Sequence, residues 1–400
     1  MKFKTIPVGM RLQGKRILLR VDWNVPLTGG ILPEESLKIE RSLETIESLT
    51  ARGAIVIVLT HLGRPEKPDP HFSTKHLSTL LHHHYRIPVV FHGERVGKKE
   101  ERTVLEAALK TASAGSVHLL ENVRFEKGEE TNDRTLAKAY ASLADVFVND
   151  AFASSHRKHV SVVGIADHLP GYAGPSLQAE VKALERLLEK PKKPFVCVIG
   201  GGKLSTKLPV LTTLYKICDR VCVGGAMATA FIAAKGLPVG MSLMEKGSAA
   251  MAKKLLAQKN IMIPIDVVVT SKLGSHPKLR SCEITDVASD EMIVDIGPKT
   301  LVAWGKELKS ASTILWNGPI GLVEIEACGA GSRFIARAIA RRATSKAYGV
   351  AGGGDTLPVI MKTHTQKKFD HVSTGGGALL EFLTNKGMLP GIKPFIKTVS

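Results

Sequence analysis

Short apolar segments alternate with longer amphipathic segments along most of the chain. Segments 54–59, 146–148 and 195–199 contain apolar residues alone, which is typical of strands buried on both faces of a parallel sheet. Segments 35–52 and 75–86 repeat their apolar residues at helical spacing. Strands separated by helices in this way predict an α/β fold, in which helices cover both faces of a doubly wound parallel sheet.

The alternation is interrupted near residue 172 and restarts near residue 194, which indicates two domains. A chain of 400 residues is also longer than a single hydrophobic core usually supports. We therefore expect two doubly wound, Rossmann-like domains joined by a helix and a hinge. The predicted boundaries are 1–172 for the N-terminal domain, 173–190 for the connecting helix, 191–382 for the C-terminal domain and 383–400 for a final segment.

The composition is that of a globular protein and contains no signal for a membrane. Hydrophobic residues make up 44% of the chain and charged residues 23%. No apolar run reaches the roughly 18 residues that a membrane span needs, and the N-terminus lacks the apolar core of a signal peptide. The five cysteines form no CxxC pair, which favours reduced thiols in a cytoplasmic protein.

The formal net charge of +18 suggests an anionic partner. Nucleic acid is one candidate, but the basic residues are spread along the chain and no basic motif is interleaved with aromatic residues. The sequence therefore disfavours specific nucleic-acid recognition. It favours a generally basic surface that attracts anionic small-molecule substrates.

Two glycine-rich turns follow apolar strands in the second half of the chain. The first contains Lys203 and Lys207, and the second ends in Asp355 and Thr356. Because a strand that ends in glycines before a helix exposes backbone N–H groups, such a turn can close on a phosphate. The lysines add positive charge and the aspartate adds a ligand for Mg²⁺, so the two turns together favour phosphoryl transfer.

Further glycine turns lie at 224–226, 316–319 and 375–377, and Glu324 follows the second of them. Several such turns in one sheet suit a nucleotide whose base and phosphates lie across the strand ends. None of the turns fits GxxxxGK[ST] or GxGxxG, so neither a Walker P-loop nor a dinucleotide-binding fold is supported.

In the first half, polar and basic side chains follow four predicted strands at the point where each strand ends. Because the carboxyl ends of parallel strands meet at one edge of a sheet, we expect these side chains to converge. Guanidinium groups match carboxylate and phosphate oxygens in pairs, so the group predicts an anion site. The group contains three arginines and three histidines, with two polar residues after the first strand: Arg64, Arg124, Arg157, His61, His156, His159, Asp22 and Asn24.

Ten motifs, read in order, identify a family resemblance. The first half contains RVDWNVPL at 20–27, HLGRP at 61–65, LLENVRF at 119–125 and VNDAF at 148–152. The second half contains GGGKLSTK at 200–207, GGAMA at 224–228, DIGP at 295–298, WNGP at 316–319, GGGDT at 352–356 and VSTGGGA at 372–378. Over essentially its whole length the chain resembles phosphoglycerate kinase.

The resemblance implies a hinge-closing monomeric enzyme of glycolysis and gluconeogenesis. Such an enzyme interconverts ATP plus 3-phosphoglycerate with ADP plus 1,3-bisphosphoglycerate and uses Mg²⁺. The phosphoglycerate ligands it implies are Asp22, Asn24, Lys38, His61, Arg64, Arg124 and Arg157. The nucleotide ligands it implies are Lys207, Gly224, Asn317, Glu324, Gly353, Gly354, Asp355 and Thr356, with Asp355 on the metal. The catalytic residues it implies are Lys38, Lys203, Lys207, Gly352 and Gly375. Residues from about 388 to 400 are expected to return to the N-terminal domain.

Three positions depart from the pattern of the family. Lys38 replaces an arginine expected at the transferred group, which keeps the charge but loses the planar guanidinium. Arg41, one helical turn later, is a candidate to serve the same face of the helix. Thr206 replaces a common aspartate beside the catalytic lysine, and Ile293 replaces a glycine of the base pocket, which leaves metal dependence and base selectivity open.

Two alternatives to phosphoglycerate kinase activity therefore remain. One is a divergent paralogue that is slow or uses a related acyl phosphate. The other is a basic binding protein that has kept the fold without catalysis. The presence of Lys203, Lys207 and Asp355 together argues against the second, because binding alone does not require all three.

Overall fold

The structure, a computed structural model, describes residues 1–25 and 33–397, and for residues 33–36 the backbone alone. The last two residues of the motif at 20–27 and residues 398–400 of the predicted final segment lie outside the described residues. The chain forms two compact units. One contains Met1–Lys182 together with the residues from Met388 onward, and the other contains Ala183–Gly387.

The first unit is built on a parallel sheet of six strands. In chain order these are β1 (Arg16–Arg20), β2 (Ile55–Leu59), β3 (Val89–His92), β4 (Val117–Leu120), β5 (Val146–Asn149) and β6 (Gly171–Ala173). Their order in the sheet is β3-β4-β2-β1-β5-β6. The helices are α1 (Pro33–Ala51), α2 (Lys75–Tyr85), α3 (Lys99–Lys110), α4 (Arg134–Ala141) and α5 (Pro175–Leu188), which crosses the boundary between the units. The strand order changes direction beside β1, and ligands of such sheets bind at the carboxyl ends of strands near such a change.

The segment after β1 is fixed by one buried indole. Trp23 is fully buried in the core, where its Nε1–H donates to Ser42 Oγ of α1 at 2.6 Å. Its backbone N–H also donates to Thr60 Oγ1 at 3.0 Å, at the end of β2. Since Trp23 points into the core, Asp22 and Asn24 on either side of it are left partly exposed at the end of the sheet.

The described C-terminal residues pack on the first unit. Phe3 and Ile396 form an antiparallel bridge, and Lys4 N donates to Phe395 O at 2.7 Å. Asn149 Nδ2, at the end of β5, donates to Gly391 O at 2.8 Å. The unit therefore contains both ends of the described chain.

The second unit contains a six-stranded parallel sheet and a smaller antiparallel sheet. The parallel strands are β7 (Phe195–Ile199), β8 (Arg220–Val223), β9 (Ile261–Met262), β13 (Thr313–Asn317), β14 (Tyr348–Gly352) and β15 (His371–Ser373), in the order β15-β14-β13-β7-β8-β9. The antiparallel strands are β10 (Asp266–Thr270), β11 (Arg280–Glu283) and β12 (Met292–Ile296), in the order β11-β10-β12. The helices are α6 (Leu204–Ile217), α7 (Gly225–Ala234), α8 (Ser248–Leu255), α9 (Pro298–Ser310), α10 (Ala330–Ala343), α11 (Leu357–Lys362) and α12 (Gly376–Thr384).

Helices α9 and α10 run side by side in the same direction. Arg342 Nε, near the end of α10, donates to Ala311 O just after α9 at 2.8 Å. Nearer the start of both helices, a Cβ on Gly305 would stand 3.2 Å from the ring of Phe334. The start of α9 is held by Asp266 of β10, whose carboxylate accepts from the N–H groups of Lys299 (2.9 Å) and Thr300 (2.7 Å).

The prediction of two doubly wound parallel sheets is confirmed, while the antiparallel sheet was not predicted. Its strand β11 has the sequence Arg-Ser-Cys-Glu and is exposed or half-buried throughout, so it lacks the apolar run of the other strands. Among the described residues, every helix is too short or too polar to cross a membrane.

Candidate functional site

Seven predicted substrate ligands lie in the first unit, and six of them follow strand ends. Asp22 and Asn24 follow β1, His61 and Arg64 follow β2, Arg124 follows β4 and Arg157 follows β5, while Lys38 lies on α1. The positive charges of Arg20, Arg124, Arg157 and Lys38 all act on the His61 ring, and Arg64 acts on Arg124. The residues therefore form one cationic cluster, as the topology predicts.

Asn24 links three segments of this cluster. Its side-chain Oδ1 accepts from Gly63 N at 2.8 Å, and its backbone carbonyl accepts from Lys38 Nζ at 2.8 Å. Its own N–H donates to Asp22 Oδ1 at 3.3 Å. Lys38 therefore contacts the segment after β1 through one hydrogen bond from its ammonium group. An arginine at this position could donate two parallel hydrogen bonds from its planar guanidinium group.

His61 is held in its neutral form. Arg20 Nη2 lies 3.2 Å from His61 Nδ1, and since a guanidinium can only donate, Nδ1 accepts. Asp22 Oδ1, at 3.9 Å, is too far from Nδ1 to compete. Burial, with the charges of Arg20 and Arg124, holds the pKa of His61 well below its ordinary value. The ring therefore offers its Nε2–H to a bound anion.

Arg20 is a part of this cluster that the sequence reasoning missed. It is 2% exposed at the last position of β1, and its Nε donates to Ser161 Oγ at 3.0 Å. Ser161 Oγ donates in turn to the buried carboxylate of Glu129 at 2.5 Å. An arginine within an apolar strand, directly before the motif at Asp22, was the signal that could have identified it.

Arg41 does not join the cluster. Its Nη1 lies 2.6 Å from Glu180 Oε1 of α5, and Glu180 is almost fully buried. The described contact of Arg41 is thus with the buried Glu180 carboxylate of α5, and the hypothesis that Arg41 compensates for Lys38 stays a prediction. Arg124, in contrast, keeps its place at the strand end while pairing with the exposed Glu130 at 2.6 Å.

In the second unit, Lys207 is held at the junction of three strand ends. Its Nζ donates to Gly200 O at 2.5 Å and to Asn317 Oδ1 at 2.8 Å, after β7 and at the end of β13. Asn317 Nδ2 donates to Gly352 O at the end of β14, also at 2.8 Å. Burial lowers the pKa of Lys207 to about 8, although the negative charge of Asp355 opposes the shift. The group remains a cation at neutral pH.

The side chains of Asn317 and Thr356 form hydrogen bonds with backbone groups of neighbouring turns and do not lie at an open surface. Both are buried, and Thr356 Oγ1 accepts from Gly318 N at 2.8 Å while donating to Gly352 O at 3.1 Å. Gly353 next to it has φ +116°, and a Cβ there would lie 3.1 Å from Asn317 Nδ2. These residues therefore fix the second glycine turn.

Two glycine turns meet beside this junction. A Cβ on Gly376, at the start of α12, would stand 3.2 Å from Gly353 Cα and 3.4 Å from Gly354 N. Gly375 N donates to Ser373 Oγ at 3.2 Å, and Gly352 lies at the end of β14. In contrast, a Cβ on Gly354 would meet no atom within 4 Å, so this residue borders open space.

A cavity of about 570 Å³ opens beside the turns, entirely within the second unit. Glu324 and Asp355 line it, as do Gly201, Gly202 and Gly225. Gly224 is not among the residues that line it, and a Cβ on Gly224 would lie 2.5 Å from the side chain of Ile320. The rest of the wall is mainly apolar and includes Met241, Leu243, Leu273, Met292, Ile293 and Leu322. A cavity with an apolar wall and a few carboxyl groups near glycine turns suits a nucleotide.

The sequence reasoning missed most of the apolar wall. Met241, Leu243 and Leu273 lie in segments without regular structure, so no periodicity identifies them. Ile293 does line the cavity, as expected from its position, and its N–H donates to Ser242 Oγ at 2.8 Å. Asp295 also lines it, and burial raises the pKa of its carboxyl to about 7, although the N–H groups of Gly331 and Ile296 oppose the shift.

The exposed Lys203 lies directly before α6, where Glu245 occupies part of the helix end. The Glu245 carboxylate accepts from Ser205 N at 2.9 Å and from Ser205 Oγ at 2.5 Å, and these bonds lower its pKa. Thr206 Oγ1 donates to Lys203 O at 3.0 Å. A carboxylate therefore lies close to Lys203 even though Thr206 carries none.

Known proteins match nearly all of the chain. The family model described as phosphoglycerate kinase matches residues 8–386. A phosphoglycerate kinase of Thermus thermophilus is 43% identical over 387 residues, which are 95% of this chain and 97% of the relative. That of Zymomonas mobilis is 41% identical over 405 residues, covering 98% of this chain and 99% of the relative.

Solved structures agree with the sequence relatives. Phosphoglycerate kinase from Coxiella burnetii superposes with a TM-score of 0.81 at 39% identity and covers 98% of each chain. The enzyme from Pyrococcus horikoshii superposes with a TM-score of 0.84 at 29% identity and covers 96% of each chain.

Proposed function

This chain belongs to the phosphoglycerate kinase family, the glycolytic kinases that transfer a phosphoryl group to a carboxylate, and from that premise we propose a role for each of its two sites. The cationic cluster of the first unit binds 3-phosphoglycerate. The cavity of the second unit binds ATP or ADP. The alternatives, a paralogue for another acyl phosphate and a binding protein without catalysis, have no support among the relatives.

One observation carries this assignment: the Lys207 ammonium is fixed by Gly200 O and Asn317 Oδ1 beside the cavity that Asp355 lines. A lysine fixed by two acceptors loses little further freedom when a phosphate arrives. Its positive charge at neutral pH is suited to the negative charge that develops on a transferred phosphoryl group. A purely structural lysine would not require a position at the border of a nucleotide-sized cavity.

The reaction needs charge neutralisation and alignment more than it needs a base. The carboxylate of 3-phosphoglycerate is ionised at neutral pH. One of its oxygens attacks the γ-phosphorus of ATP, the bond from that phosphorus to the bridging oxygen breaks, and ADP leaves with the electron pair. We propose that Lys203 and Lys207 neutralise the moving group and that the N–H groups near Gly352, Gly353 and Gly375 receive its oxygens.

Mg²⁺ fits the proposed nucleotide site through Asp355. This ion usually keeps several waters and binds through one or two carboxylates together with substrate phosphates. Asp355 is exposed, lines the cavity and follows the turn that borders open space at Gly354. We propose that Asp355 holds the ion of the nucleotide complex, which when bound offsets the charge of the phosphates. Glu324, on the same cavity, is the proposed partner of the ribose.

We propose that the first unit recognises its substrate through the guanidinium groups and the His61 ring of the cationic cluster. Arg64, Arg124 and Arg157 supply guanidinium groups for the phosphate and carboxylate of 3-phosphoglycerate. Neutral His61 adds a donor at Nε2, and we propose that Asp22 and Asn24 contact the polar groups of the substrate. Lys38 adds a point charge to this set.

We further propose that the enzyme acts as a monomer in the cytoplasm. Each proposed site is built from residues of one chain, and all five cysteines are unpaired thiols, which suits a reducing compartment. Sedimentation of the purified protein at assay concentration measures the first of these statements.

The direct test is a coupled assay of ATP plus 3-phosphoglycerate with Mg²⁺. We expect turnover within the usual range for kinases, about 1–100 s⁻¹ or above. Absence of turnover with 3-phosphoglycerate, but turnover with another carboxylate acceptor, would transfer the assignment to a paralogue. Absence with every acceptor, while ATP still binds, would leave only a binding role.

The different contacts of Lys38 and Arg41 on α1 predict that substitutions at these two positions have different effects. Lys38→Ala is expected to raise the KM for 3-phosphoglycerate about tenfold or more, because it removes a charge from the cluster. Arg41→Ala is expected to leave that KM unchanged and to lower the free energy of unfolding by about 1–3 kcal/mol, because buried Glu180 loses its guanidinium partner. Steady-state kinetics and urea unfolding of both variants measure the two effects. An Arg41 variant with normal stability and a raised KM would support the compensation hypothesis.

The open space at Gly354 predicts a defect confined to nucleotide binding. Gly354→Ala is expected to change the free energy of unfolding by less than about 0.5 kcal/mol, since the added Cβ meets no atom. The KM for ATP should rise about tenfold, because the methyl group would stand where phosphates approach the backbone. Gly9→Ala, equally open but in the first unit, is the matched control and should leave both quantities unchanged. An unaltered KM for ATP in Gly354→Ala would remove this turn from the nucleotide site.

A further inference from the structure

Helices α9 and α10 carry an unusual excess of positive charge. Together they contain seven basic residues and one acidic residue: Lys299, Lys306, Lys309, Arg333, Arg337, Arg341 and Arg342, with Glu307. Helix α10 itself has no acidic residue. Since neither helix contributes a residue to the proposed sites, phosphoryl transfer does not account for this charge.

Three of the seven cations are already engaged. Lys299 pairs with Glu283, and Arg333 pairs with Glu326 at 3.2 Å. Arg342 donates to backbone carbonyls at the end of α9. The one carboxylate, Glu307, lies 3.6 Å from Arg220.

The other four cations form an exposed group without acidic partners among the described residues. We name Lys306 and Lys309 of α9 and Arg337 and Arg341 of α10 the basic face. All four are exposed, and none has an ion pair with a described carboxylate. Lys306 and Lys309 are three residues apart and Arg337 and Arg341 four apart, so each pair lies on one face of its helix, and the two helices run side by side.

The spacing of the pairs suits a chain of phosphates. Residues four apart on a helix, such as Arg337 and Arg341, are separated by about 6 Å along its axis. Neighbouring phosphates of a nucleic-acid strand are separated by a similar contour distance, and guanidinium groups bind phosphate oxygens in pairs. Packed helices lie about 8–10 Å apart, so the second pair reaches the same backbone or its partner strand.

The apolar residues at this surface argue against a membrane as the partner. A protein that binds a lipid surface through a helix inserts apolar side chains that project from it. The ring of Phe334 instead packs against Gly305 of α9 and is 36% exposed, whereas Val302 is 61% exposed. The outermost groups are cations, which can bind phosphates without insertion.

We infer that the basic face binds the phosphate backbone of a nucleic acid without reading its bases. No residue of the basic face lines the proposed nucleotide cavity, so binding is a property additional to the kinase activity. The absence of an aromatic-interleaved basic motif in the sequence is consistent with binding that is independent of base sequence.

The test is fluorescence anisotropy of a labelled short DNA duplex across a range of salt concentrations. For four phosphate contacts, the logarithm of the binding constant should fall with the logarithm of salt concentration with a slope of about −3 to −4. A variant with Lys306, Lys309, Arg337 and Arg341 all changed to Gln should bind at least tenfold more weakly at about 50 mM salt, with a slope near zero. Glutamine is a good helix former, so α9 and α10 should persist.

The matched control removes the same charge from another surface. Lys99, Lys110, Arg134 and Lys138 are exposed helical residues of the first unit without ion pairs among the described residues, and all four become Gln. This control should bind the duplex within twofold of the natural chain, and both variants should keep full kinase turnover. Equal losses in both variants would assign the binding to net charge alone and overturn the inference. Binding to vesicles of phosphatidylglycerol but not to the duplex, or no binding to either, would also overturn it.

Discussion

Lys207→Met is expected to lower kcat by about 10³-fold or more, a loss similar to that of other transition-state cations in phosphoryl transfer. Methionine keeps the length and apolar character of the side chain but cannot neutralise the phosphoryl group. Gly200 O and Asn317 Oδ1 lose their donor, yet the two strand ends stay linked by the bond from Gly200 N to Asn317 O at 2.9 Å. The measurement is single-turnover kinetics in the direction that converts ATP to ADP, with 3-phosphoglycerate as acceptor.

The same variant should reveal the titration of Lys207. The pKa of Lys207 is about 8 in the folded natural chain, and the unfolded chain has the ordinary value of 10.5. Between about pH 8 and pH 10.5 the unfolded chain therefore binds more protons than the folded chain. Stability therefore rises with pH in this window relative to Lys207→Met, by about 1–3 kcal/mol in total. The natural enzyme should also lose kcat/KM for ATP above about pH 8, as free Lys207 loses its proton.

Lys216→Met provides the control for both effects, because Lys216 is an exposed lysine at the far end of the same helix. It should show normal kcat and a stability profile parallel to that of the natural chain. Retention of kcat within tenfold in Lys207→Met would remove this residue from the catalytic set.

Gly200→Ala is expected to lower the free energy of unfolding by about 2–4 kcal/mol. A Cβ on Gly200 would lie 1.9 Å from Pro319 O and 2.8 Å from Pro319 C, and a backbone cannot yield as a flexible side chain does. The turns after β7 and β13 would have to separate. Since Gly200 O is also an acceptor for Lys207, the separation should lower kcat at temperatures where the variant stays folded.

The comparison with Gly202→Ala makes this prediction specific to packing. Gly202 belongs to the same glycine turn, but a Cβ there meets no atom within 4 Å. Urea unfolding should therefore separate the two variants, with Gly202→Ala within about 0.5 kcal/mol of the natural chain. If both substitutions lower the free energy of unfolding by the same amount, the backbone freedom of glycine, and not the close approach of Pro319 O, would explain the glycine at position 200.

The sequence predicted the elements whose burial leaves a regular pattern. Strands such as β2 and β7 are apolar at every position, because both faces of each sheet are covered, and this pattern is readable without a structure. The antiparallel sheet was missed because β11 is polar and partly exposed. A half-buried short strand is set by its neighbours in the sheet, not by its own residues.

The sequence was sufficient to predict which strand ends carry the candidate site residues. It was not sufficient to predict the hydrogen-bond and ion-pair partners of those residues. Motif positions placed His61 and Lys207 at carboxyl ends of strands, since that edge is where parallel sheets bind ligands. Helical spacing likewise put Arg41 near Lys38, but it could not show that Glu180, far along the chain, engages its charge. Contacts between distant segments, including Arg20 with Ser161, depend on packing that no local pattern encodes.

The return of residues 388–397 to the first unit has a consequence for the order of folding during synthesis. On the ribosome, all of Ala183–Gly387 emerges before the residues that complete the first unit, such as Gly391 beside Asn149. The second unit is continuous and can fold as soon as it is released, whereas the unit made first remains unfinished until residues 388–397 have emerged. We therefore expect a nascent chain stopped near residue 387 to resist proteolysis in its later half and to be cleaved in its earlier half.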